Sequence, residues 1–509
     1  MPWEQQMEDL RTRVRDAKNR FRELPQTTRW GIWIGLEAAL VVVLGILDLS
    51  LGVGAGVLVT IGWLKKISDL RIRLGIEIAL VVFLLIVEAS AGILVAIGLA
   101  LTWVPDVWKR YAIPGTALAL VIAYPYYVNH LFTVPLFGAF PSVRTGVVML
   151  VYVMMALGLN VVVGYAGLLD LGYVAFYAMG AYTVAWFASL QFAHRNFHFG
   201  AVGVAPNLIG FHISIWLLLI LAGILTSITG VIIGLPTLRL RGDYLAIVTL
   251  GFGEILPQIA RNGDNLFGTG FNLTNGPNGI TPIDPPGFGK TLHDATGGVL
   301  PDNYLTAANG ERLFFWTGVV LVLITVFSSW RLRDSRLGRA WIAIREDETA
   351  AAAMGVPLMR TKTWAYATGA FFGGIAGAYF AAFKSATFPG DFFFNISVFI
   401  LVMVILGGMG NIWGVIVGAA FLAYLDQAGL STSGNWLNSH VLPCNSGAAS
   451  IDRVFSHGCI NVPLLEFGIF GVILLVVMLF RPAGLIPSSR RKAEFQEGVH
   501  DEPLYDVTH

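Results

Sequence analysis

Long apolar runs separated by short polar stretches dominate this chain. Several runs are shorter than the roughly 20 residues that an upright membrane helix needs. The apolar segments cover residues 31–49, 51–64, 74–89, 91–104, 112–134, 144–165, 169–190, 211–234, 244–260, 313–329, 363–384, 393–407, 411–425 and 464–481. The short segments occur as adjacent pairs, so counting a pair as a re-entrant hairpin leaves the sidedness of the other segments unchanged. The pattern predicts an all-α, polytopic integral membrane protein.

Composition indicates that lipid is the main solvent of the chain. Only 13% of the 509 residues are Asp, Glu, Lys or Arg, about half the share found in a typical soluble domain. This composition excludes a soluble enzyme, and a net charge of +1 provides no overall field to attract nucleic acid. No cleavable signal peptide is visible, because the first apolar run starts near Gly31 after a charged stretch.

The distribution of Lys and Arg predicts the orientation of the chain. Basic residues accumulate in cytoplasmic loops, and with the N-terminus inside most of the 33 basic residues fall in cytoplasmic stretches. Both termini are therefore expected in the cytoplasm. This orientation predicts outer loops at 261–312 and 426–463, a cytoplasmic loop at 330–362 and a cytoplasmic tail at 488–509.

The N-terminal part contains an internal repeat. Residues 34–64 and 74–104 align without gaps at a spacing of 40 residues, which predicts duplicated transmembrane hairpins over 31–110. The repeats carry acids at Glu37 and Asp48, then at Glu77 and Glu88. Acids inside a membrane are costly and often functional. The alternative is a structural role near the interfaces or against partner helices.

Residues 1–30 precede the repeat and are rich in arginine. Apolar residues recur there every three to four positions, with basic residues on much of the remaining surface. This pattern predicts a cytoplasmic amphipathic helix on the inner membrane face. A solvated helix that contacts a partner subunit is the alternative.

The first outer loop contains the sequence GFGKT at 287–291, which superficially matches a phosphate-binding loop. Asp284 occupies the place of the first glycine, and no strand precedes the motif. A phosphate-binding loop requires both the first glycine and the preceding strand, so we expect this chain to bind no nucleotide here.

The second outer loop holds both cysteines, Cys444 and Cys459, with His440 and His457 beside them. An oxidising compartment favours a disulfide between the two cysteines. A Cys2His2 metal site is the weaker alternative, because the spacing differs from that of the usual zinc modules. The sequence therefore predicts a disulfide and no metal site.

The cytoplasmic stretch 337–355 contains an acidic cluster, four alanines and a glycine. Acids at the start and glycine at the end predict a short helix, although an ordinary connector would also suit this position. No catalytic series, metal-binding helix or nucleotide fingerprint occurs in a suitable context, so the chain is not expected to be an enzyme.

Six motifs, in order along the chain, give the sequence a family resemblance. They are GYAGLLDLG at 164–172, GLPTLRLRGDYLA at 234–246, TNGPNGI at 274–280, AIREDE at 343–348, LGGMGNIWG at 406–414 and FRPAGL at 480–485. Residues 140–487 resemble the LivM-type permease of branched-chain amino acid ABC transporters. The duplicated hairpins lie outside the resemblance.

The resemblance implies an ABC importer permease core over 111–487, with extra N-terminal transmembrane hairpins, in a bacterial cytoplasmic (inner) membrane. The expected cargo is leucine, isoleucine or valine. The expected partners are a second, LivH-like permease, two LivG/LivF-like ATP-binding subunits, an external amino-acid-binding protein and membrane lipid. ATP and Mg would be bound by the partner subunits, and no cofactor by this chain.

The resemblance also implies which residues carry function. The cytoplasmic stretch becomes an ATPase-coupling helix with Arg345, Glu346, Asp347, Glu348, Ala350, Ala351 and Gly355. Its glycine follows the acid by seven residues, whereas the general permease pattern E-A-A-x-x-x-G has six, so the docking register stays open. The candidates for the translocation pathway are Asn160, Gly164, Gly167, Asp170 and Glu254. Asp170 is also suited to capping a helix.

Two other classes of function are compatible with a polytopic membrane chain. In an ion-coupled secondary transporter, Glu37, Asp48, Glu77, Glu88 and Asp170 would relay protons. That hypothesis leaves the stretch 337–355 without a role. A membrane receptor or scaffold, binding a protein through its outer loops, is the third hypothesis.

Overall fold

A computed structural model describes the chain from Leu70 onwards with some gaps. The described residues are 70–131, 139–192, 196–205, 207–240, 243–440, 455–456, 459–460, 462–481 and 484–486, with a few positions between 37 and 60. The predicted amphipathic helix at 1–30, most of the first hairpin, Cys444 and the tail at 488–509 lie outside these residues. Of Cys459 only the backbone is described, so the disulfide stays a prediction.

Helices make up most of the described chain, as the apolar pattern predicts. Their bounds are α1 Leu70–Val87, α2 Ala89–Trp103, α3 Asp106–Tyr127, α4 Val143–Leu159, α5 Val174–Phe187, α6 Ile215–Thr237, α7 Asp243–Arg261, α8 Gly289–Ala295, α9 Gly310–Asp334, α10 Arg336–Glu346, α11 Glu348–Ala353, α12 Leu358–Lys384, α13 Phe394–Gly407, α14 Ile412–Tyr424, α15 Leu430–His440 and α16 Glu466–Phe480. The π-helical segments Asn160–Tyr165 and Leu425–Gly429 extend α4 and α14.

Short elements occupy the connections. The 3-10 turns are Val128–His130, Gly263–Gly268, Gly276–Asn278, Pro389–Phe392 and Val462–Leu465. The strands are β1 Ala188–Ser189, β2 Asn196–Phe199, β3 Gly210–Ile213, β4 Phe455–Ser456 and β5 Cys459–Ile460. β3 lies in the middle of a small sheet, antiparallel to β1 and parallel to β2, and β4 pairs antiparallel with β5.

Eight helices of the described chain are long and apolar enough to cross a membrane. Two apolar helices, α2 and α5, are shorter. The helix α7 is not among the eight, because Asp243, Glu254 and Gln258 make it less apolar. Successive helices run up and down, so the bundle has two ends. We call the end that carries α10 and α11 the lever end, and the end that carries the sheet and residues 262–309 the loop end.

Several helices begin or end at residues other than those predicted from the apolar segments. These differences occur where contacts with other protein groups replace contacts with lipid. The segment predicted as 169–190 becomes helical only at Val174. Helical structure continues from α14 through the second π segment to His440, well inside the predicted outer loop 426–463. The connection at the lever end is 335–357, shorter than the predicted 330–362, because α9 and α12 both extend beyond their apolar cores.

The core is built around α12, which packs on α4, α5 and α6. The small residues Gly369, Gly373, Gly374 and Gly377 let neighbouring helices approach it closely. A Cβ atom at Gly377 would collide with the carbonyl oxygen of Tyr177 on α5. Close packing of this kind is the main source of helix association in lipid, where burial of apolar surface supplies little.

The helices α1 and α2 pack against each other in the region of the second predicted hairpin. Glu77 is buried and accepts hydrogen bonds from Trp103 Nε1 at 2.7 Å and from Arg73 Nε at 2.9 Å. The Arg73 guanidinium also lies 5.1 Å from the centre of the Trp103 ring. Glu77 therefore ties the two helices together, which supports the structural alternative for this acid. The duplication itself stays a prediction.

A buried histidine anchors the loop end. His212 on β3 is fully buried, and its Nδ1 lies 2.7 Å from Asp284 Oδ2. The ring of His198 on β2 stacks on it at 4.8 Å. The Asp284 amide donates to the Ala188 carbonyl of β1. These contacts fasten the segment before α8 to the sheet and so position the start of α6.

We expect Gly377→Ala to destabilise the core by about 1–3 kcal/mol, the usual effect of overpacking. The thermal midpoint of the detergent-solubilised chain, followed by fluorescence-detected size-exclusion chromatography, measures this effect. Gly468→Ala on α16 is the matched control, because its added Cβ meets no atom of the described residues within 4 Å. An unchanged midpoint for Gly377→Ala would contradict the packing described for α5 and α12.

Candidate functional site

The predicted short helix is present at the lever end as α11, and both of its ends are capped. The Asp347 carboxylate accepts hydrogen bonds from the amides of Thr349 at 2.8 Å and Ala350 at 2.9 Å, as an N-cap residue does. Gly355 has a φ of +84°. The amides of Gly355 and Val356 donate to the carbonyls of Ala352 and Ala351, which is the Schellman arrangement. The ends of α11 are therefore fixed by local chemistry.

The acidic cluster does not belong to one helix, and in this respect the prediction is wrong. Glu346 is the last residue of α10, Asp347 separates the two helices, and Glu348 is the first residue of α11. The reason is the extended backbone of Asp347, with a φ of −153° and a ψ of 109°. An N-cap residue requires this conformation, which no residue inside a helix can adopt.

Two contacts anchor the lever segment, which we define as residues 335–357, to α12. Trp341 of α10 is completely buried, and its Nε1 donates to the Thr361 carbonyl at 2.8 Å. The Glu348 carboxylate accepts a 2.8 Å hydrogen bond from Lys362, whose side chain is only 4% exposed. Removing one partner of a buried ion pair leaves an uncompensated charge. Glu348 therefore has a structural role in this segment.

The chain between α4 and α5 is not an ordinary helix. The last turns of α4 widen into a π-helix over Asn160–Tyr165, and residues 166–173 are irregular before α5 begins. Gly167 has a φ of +69° there, a conformation that glycine adopts without strain. We call residues 160–173 the helix break. The break contains the pathway candidates Gly164 and Gly167, and it lies between two helices at the lever end.

Side chains from distant parts of the chain satisfy the backbone of the helix break. The Leu171 amide donates to Thr249 Oγ1 at 3.0 Å, and the Val174 amide donates to Ser397 Oγ at 2.8 Å. The Gly172 amide donates to Asp170 Oδ1 at 2.8 Å. Unpaired backbone groups are costly in a membrane protein. The break is therefore held by α7 and α13 as well as by its own aspartate.

Arg345 joins the lever segment to the helix break. Its Nη1 donates to the Gly164 carbonyl at 2.6 Å, and its aliphatic part lies against Gly167. A Cβ atom on Gly167 would approach Arg345 Cγ to 2.7 Å. Nearby, the Gly410 amide, in the turn between α13 and α14, donates to Asn160 Oδ1 at 2.8 Å. The structure thus brings together Arg345 and three of the residues predicted for the pathway, Asn160, Gly164 and Gly167.

The two acidic pathway candidates lie apart. Asp170 is buried in the helix break, where its side chain faces the buried Tyr366 hydroxyl of α12. Glu254 is exposed on α7, on the face opposite the buried Thr249. The two acids are therefore not parts of one carboxylate pair.

Several residues of this region carry no strong signal in the sequence. Trp341, Lys362, Thr249 and Ser397 are single polar or aromatic residues in helices, and their partners lie 14 to 223 positions away in the chain. Gly410 belongs to a glycine-rich run whose tight turn could be predicted. Its contact with Asn160, 250 positions away, could not.

Comparison with known proteins identifies the family of the chain. Residues 143–478 match the family described as "Branched-chain amino acid transport system / permease component". The permease protein LivM of the high-affinity branched-chain amino acid transport system of Escherichia coli (strain K12) is 33% identical over 390 residues, covering 75% of this chain and 76% of LivM. The corresponding protein of Salmonella typhimurium is 34% identical over 389 residues, with the same coverage.

A more distant relative covers the core of the chain. The probable branched-chain amino acid transport permease protein LivM of Methanocaldococcus jannaschii is 26% identical over 353 residues, covering 66% of this chain and 90% of that protein. No solved structure matches the chain.

We expect Arg345→Gln to loosen the helix break. A hydrogen bond from a charged donor contributes about 1.5–3 kcal/mol, so the amides of residues 160–172 should exchange hydrogen about tenfold faster or more. Hydrogen–deuterium exchange with mass spectrometry of the full-length chain measures this rate. Arg339→Gln is the matched control, because Arg339 lies on the same helix and its side chain donates, among the described residues, only to the nearby Asp334 carbonyl. Equal exchange in the two variants would show that Arg345 does not hold the break.

Proposed function

The chain belongs to the branched-chain amino acid transport permease family, and from that premise we propose that it is the transmembrane subunit of an ATP-driven importer of leucine, isoleucine and valine. It pairs with a second permease, two ATP-binding subunits dock on its lever end, and an external binding protein delivers the amino acid at its loop end. The membrane is the bacterial inner membrane, and both termini are cytoplasmic. The observation that carries the proposal is the direct contact between the lever segment and the helix break through Arg345.

The surface of α11 supports docking of an ATPase. Ala350, Ala352 and Ala353 are exposed, and the neighbouring Met354 is 84% exposed. Small side chains allow a partner surface to approach closely, and a methionine adapts to the shape of an apolar pocket. These residues form an exposed apolar surface on a helix whose ends are capped and which is anchored to α12. Such a surface is suited to binding another protein.

The anchoring of the lever segment supports mechanical coupling. Trp341 and the Glu348–Lys362 pair hold it to α12, and Arg345 holds it to the helix break. Displacement of α11 by an ATPase would therefore act on the break and on the core helix together. Such a displacement biases the bundle between inward-open and outward-open arrangements if the two differ in these contacts.

The helix α7 supports a pathway shared with a second permease. Its buried face contacts the helix break, whereas its other face exposes Glu254 and Gln258 beside apolar residues such as Ile247 and Ile255. A carboxylate facing lipid is costly, and such residues usually face a partner or a water-filled path. We therefore assign the exposed face of α7 to the interface with the second permease, where Glu254 contributes to the lining.

A zwitterionic amino acid needs both polar and apolar contacts along its path. Asp170 and Asn160 are buried at the lever end, and Asn160 Nδ2 has no partner among the described residues. A carboxylate can pair with the ammonium group of the cargo, and an amide can donate to its carboxylate. We assign them to the inner part of the pathway.

The ion-coupled alternative has less support. The proton relay that it proposes includes Glu77, whose carboxylate already accepts hydrogen bonds from Arg73 and Trp103. The alternative also gives no role to the exposed residues of α11.

The first test is uptake of radiolabelled leucine into proteoliposomes that contain this chain, the partner permease, both ATPases and the binding protein. We expect uptake only when ATP is enclosed with the ATPases, because this chain has no nucleotide site of its own in the proposal. A control without ATP but with an imposed proton gradient tests the ion-coupled alternative. Equal uptake in that control would overturn the ATP-driven mechanism.

Met354→Asp should weaken docking of the ATPases while the chain still inserts and folds. Loss of a central apolar contact typically costs about 2 kcal/mol or more, so affinity should fall about 30-fold. Pull-down of the purified ATPases by the reconstituted permease pair measures this affinity. Val299→Asp is the matched control, since Val299 is an equally exposed apolar residue at the loop end. The docking assignment fails if the two variants bind ATPases equally well.

A further inference from the structure

A large cavity lies at the loop end, away from the helix break. Its volume is about 780 Å³, within the range of about 300–1,000 Å³ typical of small-molecule sites. The first turns of α6 and α9 form one side, and the segment around α8 forms the other. The GFGKT sequence at 287–291 lines this cavity, and the proposed transport function gives that sequence no role.

The wall of the cavity is aromatic and preformed. Phe288 stacks on Trp216 with ring centres 5.7 Å apart, and the edge of Tyr304 meets Trp216 at 5.9 Å. Trp216 Nε1 donates to the Gly287 carbonyl, and Trp316 Nε1 donates to the Ile122 carbonyl. These polar atoms are already paired, so the rings present apolar surface to an occupant.

One charge lies at the mouth of the cavity. Lys290 is exposed and forms no hydrogen bond or ion pair with the described residues, including Asp294 one turn further along α8. No acidic residue lines the cavity among the described residues. The site is therefore complementary to an anionic head with an apolar tail. A free amino acid would find no carboxylate for its ammonium group.

The cavity opens towards the lipid-facing surface. Val320 of α9 lines it and is also about half exposed, in line with the exposed Leu323 and Ile324 on the same helix. Aromatic side chains such as Trp216, Trp316 and Tyr304 are characteristic of the membrane–water interface. A lipid chain can therefore enter from the bilayer without crossing a polar surface.

We propose that this cavity is a binding site for an anionic glycerophospholipid. One acyl chain lies along Trp216, Phe288 and Val320, and the phosphate pairs with Lys290 and accepts from the Thr291 hydroxyl. The lipid fastens the segment 287–304 to the ends of α6 and α9. The proposal is independent of the transported cargo and of ATP coupling.

Native mass spectrometry of the full-length chain, delipidated in detergent and titrated with phosphatidylglycerol or phosphatidylcholine, tests the proposal. We expect phosphatidylglycerol to bind more tightly, and Lys290→Gln to weaken that binding about fivefold, the contribution of one surface cation to an anionic lipid. Val320→Trp narrows the chain path from the lipid side and should lower occupancy by both lipids. Arg312→Gln, at the same end of the bundle, is the charge-matched control and should not change binding.

Two results would overturn the proposal. One is equal affinity for both lipids in the wild type and in Lys290→Gln. The other is displacement of phosphatidylglycerol by glycerol phosphate at the same concentration, which would identify a site for a soluble phosphate compound. Neither result would alter the uptake expected of the importer.

Discussion

The hydrogen bond from Arg345 to the Gly164 carbonyl links the helix break, which lies inside the helical bundle, to the lever segment, which lies outside it. The two segments therefore differ in the environment of their polar groups. The helix break lies in a bundle built for lipid, where each backbone polar group needs a partner within the protein. The lever segment lies outside the bundle and carries exposed alanines. A guanidinium group can serve both, since its charged donor reaches the carbonyl while its aliphatic part packs on Gly167.

The other contacts of the helix break explain why it stays in one conformation. Thr249 of α7 and Ser397 of α13 each supply an oxygen to an amide at the end of the break, and Asn160 of the break supplies one to Gly410 in the turn between α13 and α14. These partners lie on different elements, so a rearrangement of the break requires α7 and α13 to move relative to it. In a closely packed bundle such movements occur between discrete arrangements, which is the behaviour that alternating access demands.

Local chemistry could be predicted from the sequence, and long-range partners could not. The apolar runs predict the helices, and the acidic cluster and Gly355 predict a short helix, because caps depend on neighbours within a few residues. The contact of Arg345 with Gly164 spans 181 positions, and no periodicity encodes it. The division of the acidic cluster between two helices also could not be predicted from the sequence pattern, because three consecutive acids are equally suited to the first turn of a helix and to a junction between two helices.

Charge in the membrane region illustrates the same limit. Glu77 and Glu254 look alike in sequence, each an acid within an apolar run, yet Glu77 is buried against Arg73 and Trp103 whereas Glu254 is exposed on α7. The free-energy cost of placing a carboxylate in lipid applies to both residues. It is offset in different ways. Glu77 is neutralised within its own hairpin. Glu254 has no such partner in the described part of the chain, so in the proposed importer its cost is offset by water in the pathway or by the second permease. The exposed acid therefore supports the proposal that this face of α7 borders another subunit.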